Sequence, residues 1–260
     1  MSFAEVGDEY VLRVARYGSF RVSLEHRTIA CEPLPAVPAH TLRHLILNQV
    51  WPLALSAERT VLHASAVAAP EGVIVLAGPG GRGKSTLAAA LVQVGCALVS
   101  DDVVEMEWQD GRWWVHPGYP TLRLWPDATG AVLPRSASAA AVAHYTTKRR
   151  IDLRGALPFV TQPLPLAAVY VLQPPSFEPQ PDVRPLGPRD AMMAVTAVSL
   201  HLDIRDRAAL RRSFHDLAAM VDRVPTFALA YQRRLEGLPA LAARVLDGVH
   251  LALPEGVGPA

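Results

Sequence analysis

A glycine-rich run in the first half of the chain has the residue types that hold phosphate. Residues 78 to 85 read GPGGRGKS and satisfy the pattern G-x-x-x-x-G-K-[S/T]. Glycines let the backbone turn its N–H groups toward phosphate oxygens, while the lysine and the hydroxyl serve the terminal phosphates and Mg²⁺. We therefore expect ATP and Mg²⁺ to bind here. The predicted nucleotide-binding residues are Gly78, Gly80, Gly81, Arg82, Gly83, Lys84, Ser85 and Thr86.

An acidic pair, Asp101 and Asp102, follows the glycine-rich run. Mg²⁺ prefers carboxylate oxygens together with substrate phosphates, and phosphoryl transfer also needs a group that orients the acceptor hydroxyl. The two carboxylates could divide these tasks, and their spacing does not decide which does which. The predicted metal ligands are therefore Asp101, Asp102 and Ser85. The alternative is a solvated acidic turn at the end of a strand.

Further titratable residues flank these motifs. His63 precedes the glycine-rich run on a predicted strand, where it would share a face with Ser65. With Lys84 and the two aspartates it completes the predicted catalytic set, although a lone strand histidine is more often structural. Four cations are candidates for stabilising the charge of a transferred phosphoryl group, or else for a solvated basic surface. They are Arg123, Lys148, Arg149 and Arg150.

The elements around the glycine-rich run make its pattern specific. Residues 61 to 67 and 72 to 78 are strand-like, the helix STLAAALVQVG follows with Gly95 as its stop, and 96 to 100 is again strand-like. This order predicts an α/β fold of the P-loop kinase type. The catalytic domain is predicted to span 61 to 260.

The first 60 residues are predicted to form a small β and helix appendage. Residues 9 to 31 alternate apolar and polar side chains, which indicates two strands around a Gly-Ser turn. Residues 40 to 58 carry leucines at helical spacing, with Pro52 expected to kink or split the helix.

The remainder of the chain alternates regular segments with stretches that we expect to lie in loops. A hairpin should turn at Asp110-Gly111, and 165 to 172 should be a buried strand. Residues 135 to 150 are bland enough to be mobile, and 174 to 189 hold six prolines. Helical periodicity from 189 to 222, a strand in VPTFALAY and a closing helix complete the chain.

Composition excludes several classes of partner. The 260 residues carry 25 basic and 24 acidic side chains, a net charge of +1, which favours neither nucleic acid nor an anionic membrane. Two cysteines without metal-ligand spacing, no signal peptide and no long apolar run predict a cytoplasmic protein. Self-association is left open.

Three motifs in this order, LHASAV, GPGGRGKST and LVSDDVV, resemble the catalytic domain of HPr kinase/phosphorylase and the smaller HPr-kinase-like proteins. Some of these relatives phosphorylate a serine of lasso peptide precursors. The resemblance implies a fold akin to phosphoenolpyruvate carboxykinase, with His63, Gly78 to Ser85 and the acidic pair in the matching positions. Thr86 stands where the bifunctional enzyme usually has glutamate, and the signature of its reverse reaction has no match here.

The sequence therefore predicts an ATP-dependent serine kinase whose acceptor is a peptide or small protein. A small-molecule kinase of the gluconate or adenylylsulfate type is one alternative. Such kinases typically begin at the strand that leads into the loop, whereas more than 70 residues, including the His63 strand, precede it here. A nucleotide-gated regulator that transfers nothing is the other.

Overall fold

The amino-terminal layer is an antiparallel four-stranded sheet covered by helices. We describe residues 2 to 132, 138 to 178 and 180 to 252 of a computed structural model. The strands pair in the order β1 (Ser2–Val6), β2 (Glu9–Val14), β3 (Gly18–Ser23) and β4 (Thr28–Pro33). The prediction of two strands in residues 9 to 31 was wrong, since three lie there. The turns lie at residues 15 to 17 and 24 to 27, and the Gly18-Ser19 pair expected to form a turn instead begins β3.

The helical segment after this sheet is split, as Pro52 predicted. It comprises α1 (Ala39–Leu45), a π-helical turn (Ile46–Val50) and α2 (Trp51–Leu55), and Pro52 lies in the first turn of α2, where its missing N–H is tolerated. Leu45 and Val50 pack with Phe20 of β3 in a buried apolar cluster.

The central sheet has nine strands, of which seven form a continuous path. Their order is β5 (Thr60–Leu62), β9 (Val104–Gln109), β10 (Arg112–His116), β14 (Leu164–Leu172), β7 (Gly72–Ala77), β6 (Ala64–Ala69) and β8 (Ala97–Ser100). The end of β14 also pairs with β16 (Thr226–Ala230), which in turn pairs with β15 (Asp182–Pro185). β14 is parallel to both β7 and β16, whereas the other pairs are antiparallel.

Helices cover both faces of this sheet, which explains why β7 is buried throughout. Ile74 and Leu76 face a core that includes α3 (Lys84–Gln93) and α7 (Leu238–Ala252), while Val73, Val75 and Ala77 face the opposite core. That second core is built with α5 (Pro188–Thr196) and α6 (Arg207–Arg223). A strand that is buried on both faces carries apolar side chains on both, so its sequence is a continuous apolar run and not an alternation of apolar and polar residues.

A smaller sheet lies beside α3. It pairs β11 (Thr121–Leu124), β13 (Arg149–Asp152) and β12 (Ser138–Ala141), and α4 (Pro126–Val132) follows β11. Part of the segment predicted to be mobile is thus an edge strand, because residues 138 to 141 find backbone partners on β13. Residues 135 to 137 of that prediction lie outside the described part of the chain.

Two further predictions needed correction. The strand expected over 61 to 67 is interrupted at His63, since β5 pairs with β9 and β6 pairs with β7, and the His63 N–H donates instead to the Val198 carbonyl. The proline-rich segment contains β15, whose backbone pairs with β16. Within the described residues, no helix combines the length and the apolar character needed to cross a membrane.

Candidate functional site

The glycine-rich run connects the carboxyl end of β7 to the start of α3. Lys84 is the first residue of the helix, and its Nζ donates hydrogen bonds to the carbonyl oxygens of Gly78 (2.6 Å) and Pro79 (3.1 Å). Burial lowers the pKa of Lys84 to about 8, with Asp101 opposing the shift and Lys148 adding to it. The Lys84 side chain therefore packs against the glycine-rich loop.

Gly83 occupies a position that other residues fit poorly. Its φ is +93°, and a Cβ built there would lie 2.6 Å from the hydroxyl oxygen of Tyr231. That hydroxyl donates to the Arg82 carbonyl at 3.1 Å, so Tyr231 supports the loop from the end of β16. The loop conformation thus depends on a residue almost 150 positions downstream as well as on its own glycines.

The two aspartates have different environments. Asp101 is buried, and its carboxylate accepts hydrogen bonds from the Ser65 hydroxyl (2.7 Å) and the Arg123 backbone N–H (3.0 Å). Asp102 has a φ of +78°, and its partly exposed carboxylate lies 2.5 Å from the Arg123 guanidinium. The Asp101 carboxylate is therefore held by hydrogen bonds from protein groups, whereas the Asp102 carboxylate remains accessible to a ligand.

His63 contacts the backbone of Asp102. Its Nδ1 lies 2.9 Å from the Asp102 carbonyl oxygen, so this nitrogen carries the proton and donates it. Burial lowers the pKa of His63 to about 4, and the positive charges of Lys84 and Arg123 add to the shift. At neutral pH His63 is an uncharged imidazole that fixes the position of Asp102.

A cavity of about 320 Å³ brings the loop and Asp102 together. We call it the loop cavity. It is also lined by Arg123 and by Lys148, whose Nζ lies 5.3 Å from the centre of the Trp125 ring. Burial lowers the pKa of Lys148, and Arg123 contributes. The predicted site residues that line the loop cavity are His63, Gly80, Gly81, Arg82, Gly83, Lys84, Ser85, Thr86, Asp102, Arg123 and Lys148.

Four predicted residues lie elsewhere. Gly78 supports Lys84 through its carbonyl, and Asp101 lies behind Asp102 against Ser65. Arg149 does not line the loop cavity, and Arg150 lines a separate cavity on the other side of the acidic pair. The basic cluster is thus divided, because only Lys148, just before β13, reaches the loop cavity.

Eight lining residues were not predicted as site residues. Arg233 and Arg234 directly follow the strand in VPTFALAY, so a basic pair after a predicted strand was the available signal. Trp125 and Asp127 lie at the start of α4, in a stretch where proline and aromatic residues obscured the pattern. The complete set is Trp125, Asp127, Ala128, Tyr231, Arg233, Arg234, Leu235 and Leu238.

Ser85 and Asp102 line the same cavity and supply the oxygen atoms that Mg²⁺ prefers. Within residues 2 to 132, 138 to 178 and 180 to 252, no cluster of three His, Cys, Asp or Glu side chains could hold a metal ion by itself. Mg²⁺ in nucleotide sites takes one or two protein ligands and completes its shell with phosphate oxygens and water, so the donor set present fits such an ion.

The molecule is thus a mixed α/β protein with a glycine-rich strand–loop–helix unit facing an acidic pair. No family model and no curated protein matches the chain. Among solved structures, it is similar to the Hpr(Ser) kinase/phosphatase from Coxiella burnetii, with a TM-score of 0.38 and 14% sequence identity over 74% of this chain and 96% of that one.

Proposed function

We propose that the protein is an ATP-dependent kinase that transfers the γ-phosphoryl group to a serine hydroxyl of a peptide or small protein. The observation that carries the proposal is the loop cavity, where Lys84 and the loop backbone face Asp102 together with Arg123 and Lys148. Phosphoryl transfer needs positioning and charge stabilisation more than covalent chemistry, and these residue types supply both.

The residues take distinct roles in this proposal. The loop N–H groups and Lys84 bind the β- and γ-phosphates, and Ser85 and Asp102 would hold Mg²⁺, which supplies charge neutralisation when bound. Lys148 and Arg123 stabilise the charge on the phosphoryl oxygens. Asp101 and His63 position Asp102 and Arg123.

The proposed reaction balances as a single displacement. The acceptor oxygen forms a bond to the γ-phosphorus while the bond from that phosphorus to the β–γ bridging oxygen breaks, leaving ADP. The Asp102 carboxylate, the accessible member of the acidic pair, accepts a hydrogen bond from the acceptor hydroxyl, whose proton is released to solvent as the new bond forms. The serine acceptor rests on the sequence resemblance to HPr-kinase-like proteins.

Transfer from γ-labelled ATP, with Mg²⁺, into serine peptides and a protein lysate tests the proposal. We expect label on serine that Lys84→Ala and Asp102→Asn each reduce at least about 100-fold. Asp222→Asn, a surface carboxylate on α6 that does not line the loop cavity, serves as the matched control and should leave transfer unchanged.

Other outcomes separate the alternatives. Label that appears only in a sugar or nucleotide would identify a small-molecule kinase. Tight ATP binding with slow hydrolysis and no labelled acceptor would indicate a nucleotide-gated regulator, and the kinase proposal would then fail.

A further inference from the structure

A second cavity of about 290 Å³ adjoins the loop cavity on the other side of the acidic pair. We call it the hinge-side cavity because it lies where the amino-terminal helices meet the rest of the molecule. Arg123 lines both cavities, and the consecutive residues Asp101 and Asp102 line one each. A molecule bound in the hinge-side cavity therefore lies next to the residues proposed to orient the acceptor hydroxyl.

The walls of the hinge-side cavity come from distant parts of the chain. α1, the π-helical turn and α2 supply one wall, and the ends of β8 and β10 and the strands β11 and β13 supply the other. The first wall is partly apolar, and the second carries Tyr119 on the segment after β10. The apolar lining residues of the first wall are Leu47, Trp51 and Leu55.

Two arginines, the exposed Arg43 and the partly buried Arg150, line this cavity without a carboxylate partner. Arg43 of α1 and Arg150 of β13 both line it, and neither makes an ion pair within 4.0 Å or a side-chain hydrogen bond among the described residues. They are close enough to interact, because the positive charge of Arg43 adds to the effect of burial in lowering the pKa of Arg150.

The other charged residues that line the cavity, Arg123, Asp101 and Glu105, each have a close partner of opposite charge. Arg123 is balanced by the acidic pair, and Glu105 lies 3.8 Å from Arg59. Asp152 attracts Arg150 at longer range, but its carboxylate is held by Arg154. The charged residues that line the cavity are three arginines and two carboxylates, which leaves one net positive charge. The two arginines without a close carboxylate partner favour an anionic ligand.

We propose that the hinge-side cavity binds a carboxylate of the acceptor through Arg43 and Arg150, while the acceptor hydroxyl extends past Arg123 to Asp102. The inference rests on the proposed function, since it assigns the substrate class of the same site. An arginine presents N–H groups in a planar fork that matches a carboxylate, and the apolar wall accommodates the carbon skeleton beside it. The amino-terminal part of the chain thereby contributes directly to substrate recognition.

The binding test uses two probes that differ only in charge, N-acetylserine and N-acetylserinamide. NMR titration of the full chain should show that the carboxylate probe binds at least about 10-fold more tightly than the amide, the size of effect that a charged hydrogen bond produces. Arg43→Gln and Arg150→Gln should each reduce this preference to less than about 3-fold. Arg211→Gln, an exposed arginine on α6 that lines neither cavity, is the control.

The transfer test then separates the two sources of a carboxylate. Serine peptides with both termini blocked carry either Asp or Asn beside the serine, and N-acetylserine represents a terminal carboxylate. Faster transfer to the Asp peptide than to the Asn peptide indicates a side-chain carboxylate. Faster transfer to N-acetylserine than to its amide, without a difference between the peptides, indicates a terminal one. Either preference supports the proposal if it is lost in Arg43→Gln and Arg150→Gln.

Several results would overturn it. Equal affinity for the two probes, no saturable binding of either, or a preference that survives both arginine substitutions removes the carboxylate site. Lys84-dependent transfer that is equal for acidic and neutral acceptors overturns the inference while the proposed kinase function stands. If the protein binds the carboxylate probe specifically but transfers phosphate to no acceptor, two claims fail. The bound carboxylate does not belong to an acceptor, and the protein is not a kinase.

Discussion

At the scale of single residues, the unusual backbone of Asp102 separates the roles of the acidic pair. A φ of +78° is strained for a residue with a Cβ and costs about 1 kcal/mol or more. Such a conformation persists only where contacts with neighbouring residues hold it in place. His63 holds the Asp102 carbonyl, and Arg123 holds its carboxylate. The result is one buried carboxylate that orders the site and one accessible carboxylate that faces the loop.

The environment of His63 predicts a pH-dependent stability. In the unfolded chain an imidazole takes up a proton near pH 6.5, whereas in the folded protein burial lowers the pKa of His63 to about 4. Between these values the unfolded chain binds more protons, so acidification destabilises the fold. The His63→Gln variant cannot take up this proton. We therefore expect the wild type to lose about 1 kcal/mol more unfolding free energy than the variant when the pH falls from about 7 to about 4.5.

Urea denaturation of both proteins at the two pH values measures this difference. The other histidines are common to wild type and variant, so their contributions cancel. A difference that stays constant with pH would show that His63 is protonated in the folded state as readily as in the unfolded chain.

At the scale of secondary-structure elements, the strand–loop–helix unit depends on packing from other elements. β7 is buried on both faces, and the alanines of α3 allow the helix to lie close to the sheet. Tyr231, at the end of β16, closes the underside of the loop beside Gly83. The conformation of the glycine-rich loop therefore depends on three elements together.

Gly83→Ala should weaken ATP binding at least about 10-fold, because an alanine is strained at a φ of +93° and its Cβ would meet the Tyr231 hydroxyl. Tyr231→Phe alone removes one hydrogen bond and should change affinity less than about 5-fold. The double variant should bind more tightly than Gly83→Ala alone, since the clash is removed and only the backbone strain remains. Titration with a fluorescent ATP analogue measures all three, and additive effects would contradict this account of the clash.

At the scale of the whole molecule, the amino-terminal layer has its own apolar core. Phe20, Leu12 and Leu45 pack there, apart from the two clusters that cover the central sheet. The layer also contacts the segment before β13, where the Thr41 hydroxyl and His144 Nδ1 lie 3.0 Å apart and Tyr17 packs on Tyr145. The hinge-side cavity lies along this junction.

Phe20→Ala should therefore destabilise the amino-terminal layer selectively. Removing a fully buried phenylalanine costs about 3 to 5 kcal/mol, and the loss should appear as faster hydrogen exchange in residues 2 to 55 with little change in β7 and β14. Leu91→Ala, in the core around α3, is the matched control and should accelerate exchange in the central sheet. Uniform acceleration in both variants would show that the molecule unfolds as one unit.

ATP binding and acceptor recognition should separate in the same experiment. The loop cavity is formed by residues after 62, whereas the hinge-side cavity takes one wall from α1 and α2. In Phe20→Ala we expect ATP affinity to change less than about 3-fold and the carboxylate preference to be lost. If ATP affinity falls as much as the carboxylate preference, the loop cavity also depends on the amino-terminal layer and this expectation is wrong.

The sequence by itself determined the features that rest on local chemistry. The glycine-rich run between a strand and a helix, the buried strand 165 to 172 and the hairpin at Asp110-Gly111 all form where predicted, the last with φ values of +52° and +80° at its turn. Turn geometry and hydrophobic periodicity depend on neighbouring residues, so they can be read from a short stretch of chain.

Only the tertiary structure decided which charged residues meet. Arg123 joins the acidic pair, while Arg150, opposite it on β13, turns to the hinge-side cavity and Arg149 lines neither cavity. The break at His63 arises because β5 and β6 pair with different strands. These arrangements depend on sheet register and on contacts between residues more than a hundred positions apart, which no local pattern encodes.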